Sequence, residues 1–226
     1  KDVVKQLGAD ILRLWAASAD YRKDISVSDE IFKQVTESYR KIRNTLRFLH
    51  GNLYDYKDST DRVDYENLAE IDKYILSRLN DTIRKAKTAF DNYEFYMAFN
   101  SIHQFCVLDL SALYLDVIKD RVYGSAPLSP ERRSAQTAIF EILKSLMIML
   151  TPILSFTMEE IYGYLDDENK VESIQLLDFP AINDKYDNKE LLEKWDKLLD
   201  VREHILKVLE KGRQEGLFGN SLGAKL

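Results

Sequence analysis

Residues 39–49 read Tyr39-Arg40-Lys41-Ile42-Arg43-Asn44-Thr45-Leu46-Arg47-Phe48-Leu49 and decide both the fold class and the first functional hypothesis. An α-helix turns by about 100° per residue, so Phe32, Ile42 and Leu46 lie on one side of it. The other side carries Lys33, Arg40, Arg43, Asn44 and Arg47. The stretch therefore predicts an amphipathic helix over residues 28–52, with Ser28 as its N-cap.

This concentration of positive charge stands out because the 226-residue chain is acidic, with a formal net charge of −6. Such a balance argues against a general nucleic-acid binder, so an anionic partner would have to meet a local patch. A row of cations on one helix face suits contacts to phosphates. The alternative is a solvated face that only keeps the protein soluble.

The composition predicts an all-α domain with a sizeable core. Hydrophobic residues make up 45% of the chain, and only eight Gly and four Pro interrupt long periodic runs. The single cysteine, Cys106, excludes an internal disulfide and multi-cysteine zinc motifs, which fits a reducing, cytoplasmic setting. The most apolar run, residues 146–156, is too short to span a membrane and contains Pro152.

Apolar periodicity and turn residues predict an up-and-down helical bundle with a C-terminal helical extension. Helices are expected over residues 68–92, 94–121 and 130–150, then a shorter one after Thr151-Pro152, and a last one over residues 188–215. Residues 173–179 are expected to be extended, and residues 218–226 to begin a strand. In the last helix the side chains expected to point inward are Leu191, Leu192, Trp195, Leu198, Leu199, Ile205, Leu206 and Leu209.

Motifs for covalent chemistry are absent from the sequence. It contains neither G-x-x-x-x-G-K-[ST] nor G-x-G-x-x-G, and no H-E-x-x-H. His103 and Cys106 could in principle begin a metal site, but a core histidine beside a core cysteine explains them better. A four-helix metal enzyme would need inward carboxylate and histidine ligands that the sequence does not supply. A further alternative is a helical protein-interaction module that uses the acidic residues Glu190, Glu193 and Asp200.

Two stretches together resemble class I aminoacyl-tRNA synthetases. Residues 2–15 (DVVKQLGADILRLW) look like the segment after the KMSKS loop, and residues 39–49 are similar to the first long helix of the anticodon-binding domain. The bacterial isoleucyl-tRNA synthetases are the most similar branch, through residues 151–161 (TPILSFTMEEI), 177–180 (LDFP) and 219–226 (GNSLGAKL). Two departures are His50, where an apolar residue is usual, and Gly223, where Glu is usual.

The resemblance implies a fragment of an ATP-dependent isoleucine–tRNA ligase that lacks the catalytic HIGH and KMSKS motifs. Its expected domains are a linker after the catalytic core (residues 1–24), the anticodon-binding bundle (residues 25–180), and a long helix leading into a further module (residues 181–226). No cofactor is expected in this chain. The parent enzyme would use ATP with Mg²⁺, and a C-terminal module would hold zinc. The implied partners are tRNA(Ile) and the catalytic domain of the same polypeptide, in a monomer without membrane association.

The resemblance and the charge pattern together give the candidate site residues. Arg40, Lys41, Arg43 and Arg47 are expected to contact phosphates of the anticodon stem, and Asn44 is available for a hydrogen bond. No catalytic or metal-binding residue is expected. Two further residues have a structural role: Asp10 and Arg13 are expected to tie the bundle to the catalytic core, and Trp15 is expected in the core.

Overall fold

The computed structural model describes residues 2–217, which form helices and connecting loops. Their contacts divide the chain into two units, Lys1–Asp187 and Asn188–Leu226. The linker predicted for residues 1–24 lies in the first unit, together with the predicted bundle. The GNSLGAKL ending and the strand predicted at residues 218–226 lie outside the described residues.

The first unit contains the helices of the bundle. In chain order they are α1 (Asp2–Leu7), α2 (Ala9–Ser18), α3 (Asp29–Gly51), α4 (Asp58–Asp61), α5 (Glu70–Asp91), α6 (Phe95–Gln104), a π-helical segment (Phe105–Tyr114), α7 (Leu115–Val117), α8 (Lys119–Gly124), α9 (Pro130–Leu150) and α10 (Ser155–Tyr164). Short 3₁₀ turns occur at Tyr65–Asn67, Ile174–Leu176 and Asp184–Tyr186. The prediction that residues 173–179 are extended is therefore wrong, because Ile174–Leu176 form a 3₁₀ turn.

Helix α3 begins and ends where the sequence predicts. The Ser28 hydroxyl accepts a hydrogen bond from the Ile31 backbone N–H (3.2 Å), and Asp29 and Glu30 occupy the first turn, where the helix dipole favours acids. Its apolar side is buried at Phe32, Val35, Ile42, Leu46 and Leu49. The amphipathic pattern thus fixes which face of α3 enters the core.

Helices α5 and α6 form a closely packed pair joined by a tight turn. Tyr93 in that turn has φ 58°, the left-handed conformation. The turn lets the chain reverse within a few residues, as in other helical hairpins.

The long helix predicted over residues 94–121 is helical along its length, but it is not one continuous α-helix. After α6 the backbone becomes π-helical, and the N–H of Leu115 donates to the carbonyl of Leu110, five residues back. The Ser111 hydroxyl donates to the Cys106 carbonyl, also five residues back (2.8 Å). This wider segment could not be predicted, because the composition of residues 105–114 suits an ordinary α-helix.

Helix α9 is the most buried element of the bundle. Ser129 caps it by accepting from the Arg132 N–H (3.3 Å), and Pro130 occupies its first turn, as predicted. Buried side chains occur on all its sides, including Gln136, Ile139, Leu143 and Met147. It packs against α3, α5, α8 and α10.

A fully buried carboxylate, Asp72 on α5, joins four helical segments. It accepts hydrogen bonds from Tyr114 Oη (2.8 Å), from both terminal nitrogens of Arg121, and from Ser134 Oγ. Tyr114 belongs to the π-helical segment, Arg121 to α8 and Ser134 to α9. Because a buried charge is costly without partners, this cluster fixes the relative positions of these segments.

The second unit consists of one long helix, α11 (Lys189–Gln214), within the described residues. The Asn188 side chain caps it by accepting from the Leu191 N–H (3.0 Å). Gly216 follows its end with φ 73°, as the sequence predicts. The inward set is only partly confirmed: Leu191 is buried, whereas Leu198 and Leu206 are 49% and 45% exposed. The prediction that these two leucines point inward is wrong.

Among residues 2–217, none of the helices combines the length and the apolar character that crossing a membrane requires.

Candidate nucleic-acid interface

The predicted phosphate-binding residues do lie on the outer face of α3, but two of the four cations have acidic partners. Arg40 forms an ion pair with Glu37, one turn earlier on the same helix (2.5 Å), and both side chains are about 60% exposed. A surface pair of this kind contributes only about 0–1 kcal/mol. Arg40 can therefore exchange Glu37 for another anion at little cost.

Arg43 is held more firmly. Its two terminal nitrogens donate to the two carboxylate oxygens of Glu160 on α10 (3.1 and 2.9 Å), and one of them also donates to Tyr39 Oη (3.2 Å). The hydrogen bond to Glu160 raises the pKa of the guanidinium, and Arg43 in turn lowers the pKa of the Glu160 carboxyl. This two-pronged geometry is the favourable one for arginine and a carboxylate. Arg43 thus connects α3 to α10.

The remaining three residues are open to solvent. Lys41, Asn44 and Arg47 are exposed, and no ion pair or side-chain hydrogen bond is recorded for them among residues 2–217. They lie three residues apart, so they form a row along α3. In the described part of α3, Lys41 and Arg47 are the cations best placed to receive phosphate oxygens.

A shallow groove borders this row on the α10 side. It has a volume of about 180 Å³ and is lined by Arg43, Arg47, His50, Glu160, Ile161 and Tyr164. His50 Nε2 donates to the Tyr164 carbonyl (3.1 Å). His50, which stands where an apolar residue is usual, therefore ties α3 to the end of α10.

A second groove, the α3–π groove, borders the row on its other side, between α3 and the π-helical segment. It has a volume of about 400 Å³, and Lys41 and Asn44 stand at its rim. The row of exposed polar residues therefore lies between two depressions.

The structure places Asp10 and Arg13 away from this surface. Asp10 is buried and accepts from the N–H and the hydroxyl of Thr157 (2.8 and 2.6 Å). Arg13 donates to the carbonyls of Pro152 and Ile153. Asp10 thus ties α2 to the first turn of α10, and Arg13 ties it to the connection between α9 and α10. Their role between domains stays a prediction. Trp15 is half-buried, with its ring 5.8 Å from that of Phe32.

Sequence reasoning missed three residues of this region: Glu160, Lys119 and Tyr123. The partner of Arg43 is 117 residues away in sequence, so charge pattern alone gives no signal. Lys119 lines the α3–π groove, and Tyr123 packs its ring edge-on against Phe48 (6.3 Å between centroids). Lys119 and Tyr123 are four residues apart and so share one face of α8, which is only a weak signal, while Arg121 between them belongs to the buried Asp72 cluster.

His103 and Cys106 have the surroundings of core residues. The Cys106 thiol is buried, which raises its pKa to about 12, and the His103 ring lies 5.5 Å from that of Phe99. Within residues 2–217, no three His, Cys, Asp or Glu side chains are grouped as metal ligands would be.

Curated relatives match nearly the whole chain. The Isoleucine--tRNA ligase of Carboxydothermus hydrogenoformans is 54% identical over 222 residues, and that of Desulforamulus reducens is 50% identical over 225. These matches cover 98% and 99% of the chain but 24% of each relative. The chain thus spans about a quarter of the length of the relatives it matches.

A solved structure shares the fold at low sequence identity. The agnB2 LeuRS of Agrobacterium radiobacter K84, solved as a ternary complex with tRNA and LeuAMS, aligns with a TM-score of 0.56 and 17% identity. The alignment covers 83% of this chain and 21% of that one. The likeness supports the predicted helical architecture.

A family model matches residues 72–226, from the first turn of α5 onward, and its description is "Anticodon-binding domain of tRNA ligase". The match covers more than half of the chain and includes α9 and α11, while α3 lies before it. The helical fold, the sequence identity to the isoleucine–tRNA ligases and this family match all indicate the same family. The chain belongs to the anticodon-binding domain family of tRNA ligases.

Proposed function

We propose that this chain is the tRNA-binding region of an isoleucine–tRNA ligase. It binds the anticodon stem and loop of tRNA(Ile) and holds the tRNA for ATP-dependent aminoacylation by a catalytic domain of the same polypeptide. The support is the identity of about half of all residues to relatives named Isoleucine--tRNA ligase, over almost the whole chain.

The observation that carries the tRNA contact is the row of exposed, unpaired polar residues on α3. Phosphate contacts supply affinity and register, and lysine and arginine are the usual donors. Lys41 and Arg47 are exposed, with no acidic partner among the described residues. We therefore assign them as the first phosphate ligands. Arg40 joins them by releasing Glu37.

Arg43 has a different role in this proposal. Its bonds to Glu160 hold α3 against α10 and keep the row in place. Its removal would leave the Glu160 carboxylate beside the same surface, where it would repel phosphates. Arg43→Ala is therefore expected to weaken binding through two effects and is a poor measure of one phosphate contact.

The proposal extends to the parent enzyme. Its chemistry needs ATP with Mg²⁺ at catalytic motifs that this sequence does not contain, and zinc belongs to a further C-terminal module. We propose that the enzyme works as a monomer in the cytoplasm.

The test is a salt-series titration of the 226-residue protein with an anticodon stem-loop of tRNA(Ile), read by fluorescence anisotropy. Each phosphate contact removed should flatten the slope of log K against log salt by about 0.7–0.9 units. We expect this decrease for Lys41→Ala and for Arg47→Ala, and twice that for the double variant. Lys87→Ala, which removes an exposed lysine paired with Asp91 on α5, is the matched control and should leave the slope unchanged.

An unchanged slope in the double variant would show that this face of α3 does not bind phosphates. No saturable binding at any salt concentration would contradict the proposal and would favour the protein-interaction module instead. Glu190, Glu193 and Asp200, all exposed on α11, would then be the residues to replace in a search for a partner.

A further inference from the structure

A chain of hydrogen bonds runs from α2 through α10 to the outer face of α3. Thr157, in the first turn of α10, donates its hydroxyl to Asp10 Oδ2 of α2 (2.6 Å). The same hydroxyl oxygen lies 3.0 Å from Tyr39 Oη, and Arg43 Nη1 donates to that phenol oxygen (3.2 Å). The chain therefore connects a buried carboxylate to a partly exposed guanidinium on α3.

The direction of donation along this chain is fixed. A hydroxyl group carries one hydrogen, and Thr157 uses its hydrogen in the bond to Asp10. Tyr39 must therefore donate to Thr157, and the Tyr39 oxygen then accepts from Arg43. The bonds run in one direction from a cation to an anion, so that each of them polarises the next and strengthens it.

Asp10 also caps α10 from outside that helix. Leu154, the residue before α10, has no side chain that accepts a hydrogen bond, so the first N–H groups of the helix need another acceptor. Asp10 Oδ2 accepts from the Thr157 N–H (2.8 Å), and a negative charge is favourable at this end of a helix. Asp10 is only 7% exposed, and its other oxygen, Oδ1, accepts no hydrogen bond from residues 2–217. The contacts of this carboxylate are therefore concentrated on Thr157.

Two contacts between α10 and α3 lie side by side. Thr157 and Glu160 are three residues apart on α10, so they share one face of it. Tyr39 and Arg43 are four residues apart on α3 and likewise share a face. Thr157 bonds to Tyr39, Glu160 bonds to Arg43, and the bond between Arg43 and Tyr39 joins the two contacts. A change at Thr157 should therefore alter the orientation of the guanidinium.

We propose that Asp10 is a positioning residue for the row of exposed residues on α3, an inference that rests on the proposed tRNA binding. It acts through Thr157 and Tyr39, which orient Arg43 before the RNA binds. A side chain that is already ordered loses less conformational entropy on binding, so the affinity is higher. Helix α2 thus controls the RNA-binding face of α3 from a position away from that surface.

The orientation of Arg43 matters because this guanidinium stands between Glu160 and the RNA. A guanidinium has five N–H donors, and the bonds of Arg43 to Glu160 and Tyr39 leave donors unused. The side chain is 40% exposed, so these donors can face a phosphate while the bonds to Glu160 are kept. Without the bond to Tyr39 the guanidinium can turn away, and the Glu160 carboxylate then repels the phosphate.

The experiment is a double-mutant cycle in the 226-residue protein, with the affinity for the anticodon stem-loop measured by fluorescence anisotropy at one salt concentration. Asp10→Asn keeps the shape of the side chain and removes its charge, and Tyr39→Phe keeps the ring and removes its hydroxyl. Each should weaken binding about 2- to 12-fold, the equivalent of one hydrogen bond. The loss in the double variant should be clearly smaller than the product of the two single losses, because both changes break the same chain.

A second measurement follows Arg43 itself by NMR, without RNA. Its side-chain Nε–H signal, identified by its absence in Arg43→Lys, should shift in Asp10→Asn, although two hydroxyl groups separate the two side chains. Thr157→Ser keeps both the hydroxyl and the N–H and should retain the signal and the affinity. Thr157→Val keeps the shape without the hydroxyl and should change both.

Tyr56→Phe is the matched control. The Tyr56 hydroxyl also bonds to a threonine, Thr137 of α9 (3.2 Å), and to a carboxylate, Asp58 (2.9 Å). Its removal should lower the urea midpoint but leave the stem-loop affinity and the Arg43 signal unchanged. Circular dichroism of each variant shows whether a loss of binding reflects unfolding.

Losses that multiply in the double variant, or an Arg43 signal that does not move in Asp10→Asn, would overturn this inference and leave the proposed function standing. Thr157→Val takes the place of Asp10→Asn in the cycle if the latter does not fold. Failure of the unchanged protein to bind the stem-loop would overturn the proposed function, whereas the Arg43 signal would still report whether the chain of hydrogen bonds orients this side chain.

Discussion

The bundle unit and helix α11 were predicted from the same kind of pattern, yet their apolar faces have different surroundings. In α3 of the bundle, Leu46 and Leu49 are completely buried. In α11, Leu198 and Leu206, which were predicted to point inward, are 49% and 45% exposed. Both helices have a side-chain N-cap and a clear stripe of apolar residues.

The difference shows that periodicity predicts a helix and its apolar side, but not whether that side is covered. Coverage depends on neighbouring elements that are distant in sequence. The two units also differ in polar contacts: the bundle contains a buried carboxylate with several partners, whereas the ion pairs of α11 lie on the surface. Equivalent substitutions in the two units should therefore have very different effects.

The largest difference should come from the charged clusters. Asp72→Ala leaves the Arg121 guanidinium and two hydroxyls without their partner in the interior and should lower the free energy of unfolding by about 3–5 kcal/mol. Glu203→Ala breaks the surface pair with Lys207 on α11 and should leave the urea midpoint unchanged. Urea unfolding followed by circular dichroism compares the two variants. Equal midpoints would contradict the role given to the Asp72 cluster.

A smaller difference is expected from leucines of the two helices. Leu46→Ala creates a cavity in the core and should lower the free energy of unfolding by about 2–5 kcal/mol. Leu198→Ala on α11 removes a side chain that is 49% exposed and should change it by no more than about 0.5 kcal/mol. An equal loss of stability in Leu198→Ala would contradict the exposure of this side chain on α11.

The smallest difference concerns pH and two histidines. Burial, with the charge of Lys41 acting in the same direction, lowers the pKa of the His103 imidazole. Below pH 6.5, about the pKa of a histidine in the unfolded chain, the unfolded chain therefore binds a proton that the folded protein does not bind. As the pH decreases from there to the pKa of His103 in the folded protein, the free energy of unfolding should decrease.

His103→Gln should consequently reduce the loss of stability between pH 7.5 and pH 5.5, as measured by the urea midpoint. His204→Gln, which replaces an exposed histidine of α11, is the matched control and should keep the pH dependence of the unchanged protein. A His103→Gln variant with undiminished pH dependence would assign the effect to other groups.

The parts of this structure that could be predicted are those that depend on neighbours in sequence. Ser28, the Ser129-Pro130 pair and Gly216 mark helix ends through local hydrogen bonds and backbone angles, and all three are confirmed. The face of α3 was equally predictable, because it needs only the order of its own residues.

Contacts between distant residues were beyond such reasoning. Arg43 and Arg47 were both predicted to contact phosphates. Only the approach of α10 pairs Arg43 with Glu160. The groove beside Asn44 likewise depends on a change of helix type over residues 105–114. Residues 105–114 contain no Gly or Pro, so no helix-breaking residue marks this change in the sequence.

The π-helical segment also sets the phase of everything that follows it. Each of its residues turns the chain by less than the roughly 100° of an α-helix, so side chains after Tyr114 point in directions that a continuous α-helix would not give them. Lys119, which lines the α3–π groove, and Tyr123, whose ring lies against Phe48 of α3, both come after this segment. The deletion of one residue within it would let the helix close into regular α-turns and would rotate both side chains relative to α3.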